Sequence, residues 1–267
     1  MATRGRLATM MMLAAIHVGA ASPASAADPI QGPFGGTISG SVALLSDYTI
    51  RGVSVSKRAP SVQASLTYEA PLAFVEALPV SLYGTVWGSS INFSPDMDES
   101  LELDLLAGVR FKLFEGKALL DLGWIGYRYP GAMKAARLSF DEFGGSLSYD
   151  FGWMNVAGQV RYSPNFFVAS GDAWYKQVAA TIPLDFIRIH DQISLKVFGG
   201  VGHQSIQRNA RYAYPDMWDW QIGLIATAWG VDLGITYVDT NVGKRRCNGG
   251  GYDYCAARAI FSITKSF

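Results

Sequence analysis

The stretch LELDLLAGVRFKL, residues 101–113, carries the decisive pattern. Its odd positions are Leu101, Leu103, Leu105, Ala107, Val109, Phe111 and Leu113, and its even positions include Glu102, Asp104, Arg110 and Lys112. Successive side chains of an extended chain point to opposite faces. One face of this segment is therefore hydrocarbon and the other charged. The same parity recurs in 231–237, where Val231, Leu233, Ile235 and Tyr237 alternate with Asp232, Gly234 and Thr236. It recurs again in the closing CAARAIFSITKSF, 255–267, where Ala259, Phe261, Ile263 and Phe267 alternate with Arg258, Ser262, Thr264 and Ser266. Lys265 alone breaks the apolar side of that last segment. Most chains end in polar residues that fray, whereas this one ends on an aromatic.

Twelve alternating segments follow from this reading, at about 37–53, 61–69, 79–90, 101–113, 118–129, 138–151, 153–163, 173–183, 192–204, 216–229, 231–240 and 255–267. Connections after the odd-numbered segments are mostly long and polar, such as NFSPDMDES and NVGKRRCNGGGYDY. Those after the even-numbered ones include FEGK and GW, with longer exceptions in APLAFVEALP and LDFIRIHD. An even strand count with short turns at one end and long loops at the other predicts an all-β fold, a transmembrane antiparallel up-and-down β-barrel. A soluble sandwich would alternate the same way with its apolar face inward. The strand lengths favour the membrane. So do aromatics near the strand ends, expected as interfacial girdles: Tyr48, Tyr68, Tyr127, Tyr149, Tyr162, Trp218, Trp220, Tyr237 and Phe267.

At the other end, Arg4 and Arg6 precede the apolar LATMMMLAAI and the small-residue stretch ASPASA, the pattern of a cleaved export signal over residues 1–26. The barrel domain is then 27–267, one domain with no linker to divide it. Cleavage leaves a nearly neutral chain, so no basic field argues for nucleic acid. Charged residues are 16% of the sequence, below the ~25% of soluble domains. Cys247 and Cys255 flank one short loop, and in an exported chain this pair reads as a local disulfide. No third thiol or nearby His completes a metal site, and no cofactor motif is present.

SDYTIRGVS (46–54), YGTVWGSSINF (83–93), LELDLLAGVRF (101–111), YRYPGA (127–132), VRYSPNFFVASGDAWY (160–175) and ARAIFSITKSF (257–267) occur in this order through nearly all of the mature chain. In this set the chain resembles the TorF-like porin family of Gram-negative bacteria. The resemblance implies a porin of the cell outer membrane, in contact with outer-membrane lipid and lipopolysaccharide. Phe267 would be the C-terminal signal read by the barrel-assembly machinery.

Assigning the polar parity to the interior gives a candidate pore lining. Asp47, Arg51, Glu102, Asp104, Glu142, Arg161, Asp219 and Arg258 fall in the outer half, and Arg110, Lys112, Asp121, Lys196 and Asp232 in the periplasmic half, together with Asp150. Opposed charges across a narrow pore select ions, and the same groups can instead pair and fill the interior. Twelve strands lie between barrels that side chains fill and barrels that stay open. The expected function is passive diffusion of small hydrophilic solutes or ions, with Asp47 and Arg51 on one face of a single strand and Tyr48 and Ile50 on the other. SPNFFVASGDAWY could narrow the lumen, although an exposed loop tip is the commoner outcome.

Two other functional classes compete with this reading. A lipid-modifying enzyme needs a histidine near a nucleophile, and the mature chain offers only His190 and His203, the latter two residues from Ser205. No catalytic residue is assigned on that basis. A scaffold, adhesin or receptor would act through its outer loops, one of which carries Lys244, Arg245 and Arg246. Solute identity and oligomeric state are left open by the sequence.

Overall fold

In the computed structural model, residues 30–72, 78–92, 99–208, 215–243, 247 and 253–267 are described. The expected signal peptide, the FVEA segment at 74–77 and Lys244–Arg246 lie outside them. Twelve long strands run in chain order: β1 Thr37–Leu45, β2 Ser61–Pro71, β3 Val80–Ser90, β4 Leu101–Leu113, β5 Ala118–Arg128 and β6 Phe140–Asp150. They continue as β7 Asn155–Ser163, β8 Ala173–Pro183, β9 Ile193–Ile206, β10 Met217–Ala228, β11 Val231–Thr240 and β12 Arg258–Ser266. Each pairs antiparallel with its chain neighbour, and β12 returns to pair with β1, Ser262 opposite Leu45 and Ser266 opposite Ser41. The sheet therefore closes on itself. Closure leaves no open edge of unpaired backbone groups, a requirement for any strand that crosses hydrocarbon.

The two parities separate as the alternation demands. Leu66, Leu105, Leu122, Leu147, Val178, Ile222, Ile235 and Phe261 stand outward and exposed, while Gln63, Thr67, Thr85, Glu102, Asp121 and Glu142 are buried inside. This is a water-soluble protein turned inside out, the arrangement of a transmembrane barrel. Aromatic residues ring both ends of the outer wall. Tyr162 and Trp174 lie 4.7 Å apart beside the long loops, and Tyr149 and Phe151 lie 4.6 Å apart beside the short turns. Tyr48 and Tyr127 do not belong to these girdles. They are 1% and 2% exposed inside the barrel, because each hydroxyl finds a carboxylate there.

Phe267 extends the closing strand against β1. Backbone hydrogen bonds join Phe267 and Gly40 in both directions, at 2.9 and 3.0 Å. The Phe267 ring occupies the space a side chain at residue 40 would take. Lys265, the polar interruption, bends to donate from Nζ to the carbonyl of Gly230 at 2.9 Å. A long side chain near a strand end can satisfy its charge at the interface in this way.

The first segment departs from expectation. It does not run unbroken to residue 53. β1 stops at Leu45, and a separate small hairpin pairs Thr49–Ile50 with Val53–Ser54. Arg51 and Gly52 form its two-residue turn with φ of 51° and 78°. Two consecutive positive φ values are the signature of the tight hairpin turn that matches strand twist. Asp47 and Arg51 therefore do not share one strand face, and Ile50 and Tyr48 do not face lipid.

Candidate functional site: a hairpin-plugged lumen

Residues 46–60, between β1 and β2, fold into the barrel and reach its opposite wall. Asp47 is held by hydroxyl donors from Ser54 at 2.6 Å and Ser56 at 2.9 Å, and it accepts from the guanidinium of Arg258 on β12. Arg258 also donates to the carbonyls of Ala256 and Gly52. Tyr48 turns the other way and donates to Glu102 on β4 at 3.0 Å, its ring edge-on to Trp87. Arg51, at the tip, donates to both carboxylate oxygens of Glu142 on β6 at 2.7 Å and to Gln204 on β9. Its guanidinium lies 4.2 Å from the centre of the Tyr175 ring. Three walls of the barrel thus grip one short hairpin.

The charges at this tip are fixed by their surroundings. Burial alone would lower the pKa of the Arg51 guanidinium, and the Glu142 carboxylate together with Tyr127 and Tyr175 more than offsets this, holding it above the ordinary arginine value. Burial, reinforced by Glu102 and Asp104, pushes the Tyr48 phenol well up, so it remains a hydrogen-bond donor. Around the hairpin, Tyr127 donates to Glu142 at 3.2 Å and Tyr175 to Asp219 at 3.1 Å. Apolar packing completes the plug. Tyr48, Val55, Trp87, Tyr127, Phe140 and Phe166 share one buried cluster. Phe166 comes from the SPNFFVASGDAWY loop, which turns inward here rather than standing as an exposed tip.

The periplasmic half is built differently. Arg110 bridges Asp121 at 2.9 Å and Glu69, with Tyr83 donating to Asp121 at 2.9 Å. Hydroxyl and amide pairs span neighbouring strands: Thr67 with Thr85, Ser41 with Ser65, and Gln159 with Gln177. Lys196 stands 4.0 Å from Asp232. Lys112 and Asp150 are exposed at the rim and line a recess of about 490 Å³ with Ser148 and Asn155.

Of the fourteen residues assigned to the lumen from parity, Lys112 and Asp150 are left at a mouth. The other twelve lie inside, with Glu102 and Asp121 at 0% exposure and Asp104 at 2%. Among the described residues, Glu102 Oε2, Asp104 Oδ1, Asp219 Oδ2 and Lys196 Nζ are buried in this interior without a hydrogen-bond partner, Lys196 having only its ion pair with Asp232. Sequence reasoning missed Glu69, Tyr83, Tyr175 and Gln204. Their inward parity was legible, but not their partners, which come from strands distant in the chain. His203 and Ser205 both face outward on β9, and His190 sits in the β8–β9 connection.

Cys247 and Cys255 are bonded, with Cα atoms 5.8 Å apart, and both are fully buried. They pack with Met217, Val242, Tyr254 and Val53, the last from the plugging hairpin.

Solved structures with the same architecture are remote in sequence. An outer-membrane channel from Pseudomonas putida F1 is 10% identical over 86% of this chain and 95% of its own, with a TM-score of 0.46. The outer-membrane channel DcaP of Acinetobacter baumannii is 12% identical over 90% and 99%, at 0.42. LpxR from Salmonella typhimurium is 11% identical over 86% and 99%, at 0.41. At these values no activity carries over from any of them. A search of curated proteins finds no match. The model of one family spans residues 28–267, and the chain belongs to that family, Gcw_chp, described as a bacterial protein of unknown function.

Proposed function

We propose that the protein is an outer-membrane channel for small hydrophilic solutes or ions, closed at rest by its own hairpin at residues 46–60. The observation that carries this reading is the set of buried ionisable atoms without a hydrogen-bond partner among the described residues, on Glu102, Asp104, Asp219 and Lys196, which extends from the outer to the periplasmic half of the interior. A buried polar group without a partner costs about 1–3 kcal/mol, and more when charged. A wall meant to stay dry would gain by losing such groups, whereas a passage that admits water or solute satisfies them. The resemblance to TorF-like porins points the same way. Arg51, Glu102, Asp104 and Glu142 would border the narrowest level, and no catalytic step is part of this reading.

A second reading has its own support. The pairs Arg51–Glu142 and Arg258–Asp47 close the outer half, as in a barrel that serves only as a scaffold for its loops. Planar-bilayer recordings separate the two. Wild-type protein should show low conductance with brief openings, and replacing residues 48–57 by a short Gly-Ser turn should raise it severalfold. Arg51→Ala with Arg258→Ala should shift the reversal potential toward cations, since two positive charges leave a region of low dielectric. Silence from both the wild type and the shortened variant, each shown to be folded by its mobility on unboiled gels, would overturn the channel reading in favour of the scaffold.

A further inference from the structure

Among the described residues, Lys176 stands on the outer wall with no carboxylate paired to it. Pairing register aligns Leu122, Gly145, Val160, Lys176, His203 and Trp218 in a single row across β5 to β10, all on the outward face. Arg128, another cation on that wall, is paired with Asp141 at 2.7 Å. Lys176 is exposed. It lies one row below the aromatic pair Tyr162 and Trp174, a step of ~7 Å toward the hydrocarbon. His203 is its register partner, its ring tilted against that of Trp218 with centroids 4.7 Å apart.

Below this row the wall is hollowed. Gly145 and Gly158 supply no side chains, so a groove of about 820 Å³ opens between Leu147 and Val178, with Lys176 and His203 at its interfacial end. A lysine facing lipid is costly at the midplane and less so near the interface. An anion at its ammonium removes that cost. A shallow apolar channel leading away from a pair of nitrogen donors fits a molecule with a phosphate at one end and a hydrocarbon chain at the other.

We propose that this groove binds one anionic lipid of the outer leaflet, with its phosphate on Lys176 and His203 and an acyl chain laid over Gly145 and Gly158. The site is on the outside of the barrel, so it stands whether or not the lumen conducts.

Native mass spectrometry of the delipidated barrel tests it, with phosphatidylglycerol as probe and chain-matched diacylglycerol as the uncharged control. The wild type should retain one phosphatidylglycerol at activation energies that strip the diacylglycerol. Lys176→Ala with His203→Ala should reduce that retention at least tenfold. Gly158→Leu fills the groove and leaves both donors in place. The fold should tolerate it, because a Cβ there meets only the Gln177 carbonyl oxygen at 3.9 Å. It too should lose the lipid. Equal retention by the wild type and the double variant would overturn the headgroup site, and undiminished binding to Gly158→Leu would overturn the chain site.

Discussion

Arg51 holds a backbone conformation that costs most residues about 1–2 kcal/mol, at φ 51°, in order to aim its side chain at Glu142. The guanidinium fork reaches two walls at once, Nη2 donating to both oxygens of that carboxylate and Nη1 to Gln204, and its plane lies over the Tyr175 face. A lysine there keeps the charge and loses both features. Gly52 follows at φ 78°, and a Cβ on it would lie 2.5 Å from Thr240 Cγ2. Gly52→Ala therefore meets both a disfavoured φ, worth about 1 kcal/mol or more, and a collision with β11. The expected outcome is an unseated hairpin inside an intact barrel. Limited trypsin digestion should cut after Arg51 or Arg58 at least several times faster than in the wild type, while the unboiled gel band persists. Unchanged digestion would mean that the hairpin does not depend on this turn.

At the scale of elements, the hairpin is seated from two sides. The strands grip its polar groups, and the β11–β12 connection covers its apolar edge. Val53 packs against the Cys247–Cys255 disulfide, and the Ser54 amide donates to the Tyr254 carbonyl at 2.9 Å. The bond spans a sequence separation of 8. Its effect through the unfolded chain is therefore limited to about 2.5 kcal/mol, small beside the barrel's strand pairing. Cys247→Ser with Cys255→Ser should leave barrel melting nearly unchanged and make residues 46–60 more accessible. Hydrogen exchange should rise at Ser54 and Val55 with the strands still protected. A cooperative loss of protection through β1 and β12 would show that the disulfide supports the barrel itself.

For the whole molecule, closure depends on β12 finding β1, the two strands farthest apart in sequence. Long-range pairing of this kind forms late, because chain-closure entropy precedes its reward. Gly40 and Phe267 sit at this seam, and a Cβ at residue 40 would also crowd the Ser65 carbonyl at 2.7 Å. Gly40→Val should displace the terminal ring, and refolding in detergent should yield less of the fast-migrating, unboiled species. Circular dichroism of the refolded wild type should be dominated by β-structure. Full recovery of the folded species by Gly40→Val would show that the Phe267 ring does not need its place over residue 40 for closure.

The barrel was legible because period-two alternation is a local property. Leu103 and Asp104 report opposite environments regardless of what surrounds them, and ten or so such residues span a bilayer. Most of the strands, the inward side of Glu102, Arg110 and Arg258, and the pairing of Cys247 with Cys255 all follow from residues near one another in the chain. The plug was not legible, because SDYTIRGVS alternates well enough to pass for the end of β1. Only the tertiary structure shows the chain leaving the wall at Ser46, since the carboxylates that draw Tyr48 and Arg51 inward, Glu102 and Glu142, come from β4 and β6. Whether inward charges line a passage or close it depends on which of them meet. That is decided by register around the closed barrel, not by the parity of any one strand.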